Sequence, residues 1–245
     1  MKAMVLAAGI GSRLRPLTDR LPKALVDIGG MPLVEIALRR LAAAGVREAI
    51  VNTHHEAEQL ERFLRTRTDL GMRIAISHEP ELLDTGGGIK NAASLLAGNE
   101  PFLVHNADVV SGVDLRRLVE AHRASGALAT LSVRDRPASR VFLFDAADRL
   151  RGWERADTGE CLWAGAPVDP VQRLGFDGIQ VLSPRVFELL TEVGAFSMTR
   201  AYLRLAGEGE PIVAFRADAY YWADVGSMPK LEAVRCHVAA HGLPL

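Results

Sequence analysis

The chain has few cysteines and no long apolar run. Its two cysteines, Cys161 and Cys236, lie far apart and have no neighbouring partners, which excludes a disulfide framework and a paired zinc motif. No apolar run approaches the roughly 18 to 20 residues that a membrane-crossing helix needs. The first residues contain one lysine and a short apolar strand, without the long apolar region of a signal peptide. We therefore expect a cytoplasmic protein with no membrane partner.

An excess of charge of either sign is also absent. The formal net charge is −1, so no overall field attracts the chain to nucleic acid, and recognition must be local. Internal repeats and low-complexity stretches are missing as well. With 245 residues, 49% of them hydrophobic, the chain is long enough for one sizeable core. We expect a single domain over residues 1–245.

Two common nucleotide-binding motifs are missing. No Gly-Lys-Ser/Thr follows four spacer residues after a glycine, so there is no Walker loop. A dinucleotide fingerprint would need a third glycine where Leu14 stands, and Pro16 interrupts the helix that should follow. A nicotinamide-dependent dehydrogenase is therefore a weak alternative.

A different phosphate-binding pattern is present near the start of the chain. Gly9 and Gly11 follow an apolar strand and allow the backbone N–H groups to turn toward an anion. Arg13 and Lys23 then supply a planar fork and a mobile point charge. The pattern predicts a nucleoside triphosphate site; the alternative is an ordinary strand-to-helix loop with solvated cations.

Strand-like and amphipathic segments alternate along the chain. Apolar residues between Leu33 and Ala44 share one helical face, and Phe102–Asn106 reads as a strand buried on both faces, with Asp108 beyond its carboxyl end. A helix is expected from Ile89 to Leu96. Such alternation favours an α/β fold with a mainly parallel sheet, whose ligands bind at the carboxyl ends of the strands.

Several segments resemble those of the bacterial sugar-1-phosphate nucleotidyltransferases. They are Leu6–Lys23, Leu83–Ile89, Val104–Asp108, Phe176–Ile179 and Trp222–Gly226. Within that family the chain looks most like N-acetylmuramate-1-phosphate uridylyltransferases, followed by mannose- and heptose-1-phosphate guanylyltransferases. The resemblance implies a Rossmann-like three-layer sandwich with a mainly parallel mixed sheet. It also implies a nucleotide-binding half over about 1–110 and a sugar-binding half over about 111–245.

The resemblance implies a chemical reaction. A sugar 1-phosphate oxygen attacks the α-phosphorus of a nucleoside triphosphate, giving a nucleotide sugar and pyrophosphate with Mg²⁺ as cofactor. The preferred pair is UTP with an amino-sugar 1-phosphate, and mannose or heptose guanylyl transfer is the alternative. A regulatory subunit that binds nucleotide sugars without turnover is a further alternative, because Ala24 replaces the usual second proline of Pro-Lys-Pro. We expect a monomer or small homo-oligomer.

The resemblance also implies roles for individual residues. Arg13, Lys23 and Asp108 are the expected catalytic residues, and Asp108 and Asp224 the expected Mg²⁺ ligands. The expected nucleotide-binding residues are Ala8, Gly9, Gly11, Ser12, Arg13, Thr85, Gly86 and Gly87. The expected sugar-binding residues are Asn106, Glu154, Asp177 and Gly178. Arg155 stands where relatives have a lysine that contacts the sugar phosphate, and Glu79 is expected at the rim or in solvent.

Overall fold

Ten of the strands form one sheet in the computed structural model, which describes residues 1–245. The other four strands form two short ribbons. In chain order the strands are β1 (Lys2–Leu6), β2 (Asp27–Ile28), β3 (Met31–Pro32), β4 (Glu48–Thr53), β5 (Arg73–His78), β6 (Phe102–Asn106), β7 (Val109–Ser111), β8 (Ala129–Arg134), β9 (Arg140–Phe144), β10 (Leu150–Arg155), β11 (Glu160–Trp163), β12 (Gln172–Leu182), β13 (Ile212–Arg216) and β14 (Trp222–Asp224).

The large sheet has a parallel part and an antiparallel part. Its main path runs β11-β10-β9-β12-β6-β1-β4-β5, and β8 joins β12 to β13. Strand β1 is parallel to β4 and β6, and this register sets Leu6 beside Asn106 at the carboxyl ends. Strands β9, β10 and β11 pair antiparallel at one edge.

Eight α-helices connect or cover the strands. They are α1 (Leu33–Ala43), α2 (Ala57–Arg65), α3 (Asp84–Asn91), α4 (Ala93–Leu96), α5 (Leu115–Ser125), α6 (Val186–Leu189), α7 (Met198–Gly207) and α8 (Met228–His241). Short 3₁₀ turns cover Ser12–Leu14, Leu17–Asp19, Lys23–Leu25 and Thr68–Leu70. The predicted α1 is confirmed, whereas the helix predicted from Ile89 begins at Asp84, where a residue with φ of 58° opens α3.

The alternation of side chains along β1 divides the core between the two faces of the sheet. Ala3 and Val5 pack with α1 and α5 on one face, while Met4 packs with Ile89 and Tyr202 on the other. A smaller cluster holds the β7–β14 ribbon against α8. The expected α/β fold with a mixed sheet between helical layers is confirmed. None of the helices is both long enough and apolar enough to span a membrane.

Candidate active site

Two connected cavities open at the carboxyl ends of β1 and β6. The first cavity has a volume of about 370 Å³ and is lined by the loop after β1 together with Lys23, Asn52, Glu79 and Asp108. The second cavity, of about 420 Å³, lies between the β9–β11 edge and the N-terminus of α7. The two share Leu6, Asp84, Thr85 and Asn106. The arrangement is one cleft with two chambers.

The loop after β1 presents a row of unpaired backbone donors. The N–H groups of Ala8, Gly9, Ile10 and Gly11 make no hydrogen bond within the chain, and Gly9 has no protein atom near the place of a Cβ. Gly11 has a left-handed φ of 70°, and the Thr18 hydroxyl donates to its carbonyl at 2.8 Å. Successive N–H groups of this kind form an anion-binding concavity.

Lys23 lies beside this loop and is paired with Asp108. An added Cβ on Gly11 would lie 3.1 Å from Lys23 Cβ, so the loop and the 3₁₀ turn at Lys23–Leu25 are in close contact. The Lys23 ammonium donates to Asp108 Oδ2. Both side chains are partly buried and both line the first cavity. The structure thus brings together a cation and a carboxylate that the sequence separates by 85 residues.

Asp224 is brought to the same region by the β7–β14 ribbon. Its Cα is paired with that of Val109, the neighbour of Asp108, and Val225 N–H donates to the Asp108 carbonyl at 2.8 Å. An added Cβ on Gly226 would lie 2.6 Å from Asp224 Oδ1 and 3.3 Å from Arg13 Nη2. Asp224 and Arg13 therefore approach each other across a glycine, and neither side chain lines either cavity.

The donor set of this region fits Mg²⁺. No group of three or more His, Cys, Asp and Glu side chains gathers anywhere in the chain, so a cage made of protein ligands alone is absent. Mg²⁺ is usually held by one or two carboxylates, with waters and substrate phosphates completing the octahedron. Asp108, just before β7, and Asp224, at the end of the paired strand β14, are two such carboxylates and match that requirement.

A buried polar relay forms the wall of the first cavity. Asn52 accepts from Ala7 N–H at 2.6 Å and donates to Glu79 Oε1 at 2.7 Å. Glu79 Oε2 accepts from Leu83 N–H at 3.1 Å. Glu79 is only 1% exposed, so the expectation of a rim or solvated position is wrong. The relay fixes β1, β4 and the start of α3 relative to one another.

Two of the glycines expected at the nucleotide instead serve protein packing. Gly86 and Gly87 lie in α3, and both donate N–H to the Phe196 carbonyl, at 2.9 and 3.3 Å. An added Cβ on Gly86 would collide with the Phe196 ring, and one on Gly87 would lie 2.6 Å from the Gly194 carbonyl. Neither lines the cavity, whereas the neighbouring Thr85 does.

The remaining residues expected at the nucleotide occupy two positions. Ala8 and Gly9 line the first cavity. Ser12 and Arg13 lie in the following 3₁₀ turn, outside the cavity wall, with Arg13 directed toward Gly226. The loop thus supplies backbone groups inside the cleft, and its guanidinium lies outside the cavity wall beside Gly226.

The second cavity has an apolar floor with cations around it. Register pairs Trp153 with Phe142 and with Leu162, so the three side chains share one face of the β9–β11 edge. On the same face Arg155 is directly opposite Arg140. The charged residues that line this cavity are Asp84, Arg140, Arg155, Glu160 and Arg200.

Two of the four expected sugar-binding residues lie elsewhere. Glu154 points to the face opposite Trp153 and Arg155 because strand side chains alternate, and it accepts from Arg173 at 3.2 Å. Asp177 is fully buried, and accepts from Ser132 at 2.9 Å and from Arg134 Nε at 2.8 Å.

The buried position of Asp177 has an electrostatic consequence. Burial raises the pKa of its carboxyl, and the Arg134 guanidinium pulls that pKa in the opposite direction. The Trp222 indole donates to the Asp177 carbonyl at 2.8 Å. Asp177 thus holds β12 to β8 and β14, and its carboxylate is closed to a sugar.

The other two expected sugar residues lie at the junction of the chambers. Asn106 lines both cavities. Gly178, whose φ is 75°, packs against the Asn106 side chain. A Cβ added to Gly178 would lie 2.9 Å from Asn106 Nδ2. Gly178 therefore acts through Asn106, since any side chain there would displace the amide.

Sequence reasoning missed Asn52, Arg140 and Arg200 as residues of the cleft. Asn52 lies near the carboxyl end of β4, next to β1, where ligands of parallel sheets collect. That rule was sufficient to find it. The two arginines carried no comparable signal, because their place depends on β9–β10 register and on the packing of α7.

Comparison with known proteins gives the family. The family model described as nucleotidyl transferase matches residues 2–142. A mannose-1-phosphate guanylyltransferase of Mycobacterium tuberculosis is 32% identical over 230 residues, covering 92% of this chain and 61% of the relative. An N-acetylmuramate alpha-1-phosphate uridylyltransferase of Caulobacter vibrioides is 50% identical over 111 residues, covering 44% of this chain and 46% of the relative. The matches thus span about half to three fifths of these curated relatives.

Solved structures share the fold over nearly the whole chain. A UDP-glucose pyrophosphorylase of Acinetobacter baumannii superposes with a TM-score of 0.80 at 22% identity, covering 98% of this chain and 94% of the other. The protein HddC of Yersinia pseudotuberculosis superposes with a TM-score of 0.75 at 21% identity, covering 96% and 98%. The resemblance seen in the sequence motifs is confirmed, and the chain belongs to the nucleotidyl transferase family.

Proposed function

We propose that this chain transfers a nucleotidyl group from a nucleoside triphosphate to a sugar 1-phosphate, releasing pyrophosphate. The observation that carries the proposal is the row of free N–H groups from Ala8 to Gly11 beside the Lys23–Asp108 pair. An anion cradle, a fixed cation and a carboxylate in one cleft are what a metal-assisted phosphoryl-type transfer requires. The family relationship supports the same reaction class.

The chemistry needs positioning and charge neutralisation, with no protein nucleophile. A phosphate oxygen of the sugar 1-phosphate attacks the α-phosphorus, and the bond to the β-phosphate oxygen breaks as pyrophosphate leaves. Lys23 offsets charge that develops on the α-phosphate oxygens, and Arg13 holds the leaving pyrophosphate. Mg²⁺ held by Asp108 and Asp224 would supply further neutralisation of the phosphate oxygens.

We assign uridine as the base and an amino sugar as the acceptor. The support is the 50% identity to the uridylyltransferase of Caulobacter vibrioides over 111 residues, which cover 44% of this chain. Guanylyl transfer to mannose 1-phosphate is the second candidate. Its support is that a Drosophila pseudoobscura guanylyltransferase catalytic subunit is 31% identical over 92% of this chain.

Pyrophosphate release across a panel of triphosphates and sugar 1-phosphates, with Mg²⁺, tests the proposal. We expect turnover with UTP above all other triphosphates. Replacing Asp108→Asn should lower the rate by about 10³-fold or more, since it removes a metal carboxylate. Asp157→Asn, at an exposed turn without a partner, is the control and should leave the rate unchanged. Absence of turnover with every pair, alongside tight UTP binding, would favour a regulatory subunit.

A further inference from the structure

The loop after β1, residues 8–21, has few polar connections to the rest of the protein. The only hydrogen bonds that join it to other parts of the chain are donated by the side chains of His55 and Gln59, which follow β4. Its apolar anchor is Leu14, which is fully buried in the cluster beside α8. One neighbouring segment therefore provides every hydrogen bond that ties this loop to the body of the protein.

The two connecting hydrogen bonds differ in their exposure to water. His55 Nε2 lies 3.1 Å from the Thr18 carbonyl oxygen, which can only accept, so this ring nitrogen carries a proton and donates. Thr18 is only 1% exposed. The Gln59 amide donates to the Arg20 carbonyl at 3.0 Å, and this bond is exposed. Because water can replace the donor at Arg20 but has no access to Thr18, His55 is the stronger tether.

Thr18 passes this constraint on to the glycine turn. Its hydroxyl and the Leu14 N–H both donate to the Gly11 carbonyl at 2.8 Å. The carbonyl and the N–H of a trans peptide point in opposite directions, so these two donors turn the Ser12 N–H away from Thr18. That N–H has no partner within the chain, like those from Ala8 to Gly11. The contacts from His55 through Thr18 to Gly11 thus orient the free donors of the loop.

We infer that His55 is a positioning residue for the triphosphate. Acting through Thr18, its Nε2–H holds the loop after β1 in the conformation in which the free N–H groups and Arg13 receive phosphate oxygens. This inference rests on the proposed function and adds to it a residue that touches neither substrate. His55 lines neither chamber, so its effect on nucleotide binding is exerted through the loop.

Calorimetry in the presence of Mg²⁺ tests the inference with UTP and UMP, and with GTP and GMP as a second arm. His55→Ala removes the N–H donor and should raise the Kd of the triphosphate about 10-fold, because the Thr18 carbonyl stays buried without a partner and the loop loses its tether. The Kd of the monophosphate, which has fewer oxygens for the donors of the loop, should stay within about twofold. A general loss of structure would instead weaken both nucleotides.

A conservative variant and a matched control accompany His55→Ala. His55→Gln should restore the triphosphate Kd to within about threefold of the parent, since its amide N–H can take the place of the Nε2–H. Gln59→Ala removes the exposed tether of the same loop and should change the Kd of either nucleotide by less than about twofold. Circular dichroism should be the same for the parent and all three variants.

Limited trypsin digestion reports on the loop without any nucleotide. Arg13 and Arg20 are exposed cleavage sites on either side of Thr18, whereas Pro16 protects the bond after Arg15. We expect cleavage at these two sites to be about 5- to 10-fold faster in His55→Ala than in the parent, because cleavage follows the population of the locally open loop. His55→Gln and Gln59→Ala should be cleaved at the rate of the parent.

Three results overturn the inference and leave the proposed function standing. The first is a triphosphate Kd that His55→Ala does not change. The second is equal weakening of triphosphate and monophosphate, which would assign His55 to overall stability. The third is a His55→Gln variant as weak in binding and as readily cleaved as His55→Ala. A parent protein that binds neither UTP nor GTP removes the proposed function and this inference together.

Discussion

The two chambers of the cleft differ in how their polar groups are paired. In the first chamber the side chains of Asn52, Glu79, Lys23 and Asp108 are all bonded to other protein groups, while the Asn106 amide and the backbone N–H groups of Ala8 and Gly9 have no protein partner. In the second chamber the cations of Arg140 and Arg200 have no partner. Under the proposed function, the preorganised first chamber would take the triphosphate, the ligand part that all members of the reaction class share. The second chamber, with its unpaired cations, would take the sugar.

Asp177→Asn should give the largest effect on stability, because it breaks the buried pair with Arg134. Removing one partner of such a pair costs about 3 to 5 kcal/mol, since the other charge stays buried. Urea unfolding would measure this, with Glu154→Gln as the control. Glu154 pairs with Arg173 at the surface, where an ion pair is worth under about 1 kcal/mol. A small loss for Asp177→Asn would contradict its structural role and reopen it as a ligand for the sugar.

Glu79→Ala should damage the preorganised chamber. It leaves the Asn52 amide and the Leu83 N–H without an acceptor, and each buried unsatisfied donor costs about 1 to 3 kcal/mol. We expect lower stability together with a UTP Kd raised about 10-fold, measured by calorimetry. Glu81→Ala, exposed and two residues away, should change neither quantity. Unchanged UTP binding in Glu79→Ala would show that the relay does not shape the nucleotide chamber.

Two glycine variants distinguish a glycine that makes room for another part of the protein, Gly86, from one that makes room for the ligand, Gly9. Gly86→Ala should lower stability by about 1 to 3 kcal/mol, because its methyl group collides with Phe196. Gly9→Ala should leave stability unchanged but weaken UTP binding about 10-fold, since its methyl group meets no protein atom and enters the first chamber.

Gly165→Ala, which also meets no atom but lies outside both cavities, is the control for the glycine pair. It should match the parent in both stability and UTP affinity. Equal stability losses at Gly9 and Gly86 would contradict the distinction between the two kinds of space.

The smallest expected effect is at Lys230. Its ammonium lies 2.5 Å from Asp224 Oδ2 and is about half exposed, so it competes weakly with a metal ion for that carboxylate. Lys230→Met should tighten Mn²⁺ binding about two- to fivefold, as followed by electron paramagnetic resonance titration. Arg235→Met removes the same charge from α8 without touching Asp224 and should leave the Mn²⁺ Kd unchanged. Weaker Mn²⁺ binding in Lys230→Met would mean that Lys230 supports the site.

Local sequence patterns correctly predicted strands and helices in the parallel half of the molecule. The apolar strand β6 and the amphipathic α1 have the predicted positions, because their signals lie in consecutive residues. Gly86 and Gly87 of α3 misled the interpretation, because a glycine in the sequence indicates that space is needed near it without saying which group fills that space. In the fold that space belongs to Phe196 and Gly194, more than a hundred residues away.

The sequence by itself determined the class of the sheet and the glycine-containing loop after β1, because both rest on residue types in short runs; the phosphate role of that loop and the metal role of Asp108 and Asp224 stay predictions. Only the tertiary structure decided that Asp177 is a buried anchor and that Arg140 and Arg155 face the same chamber. The physical reason is that the face and the partner of a strand residue depend on register. Register is set by pairing with distant segments, and a shift of one residue would send each side chain to the opposite face.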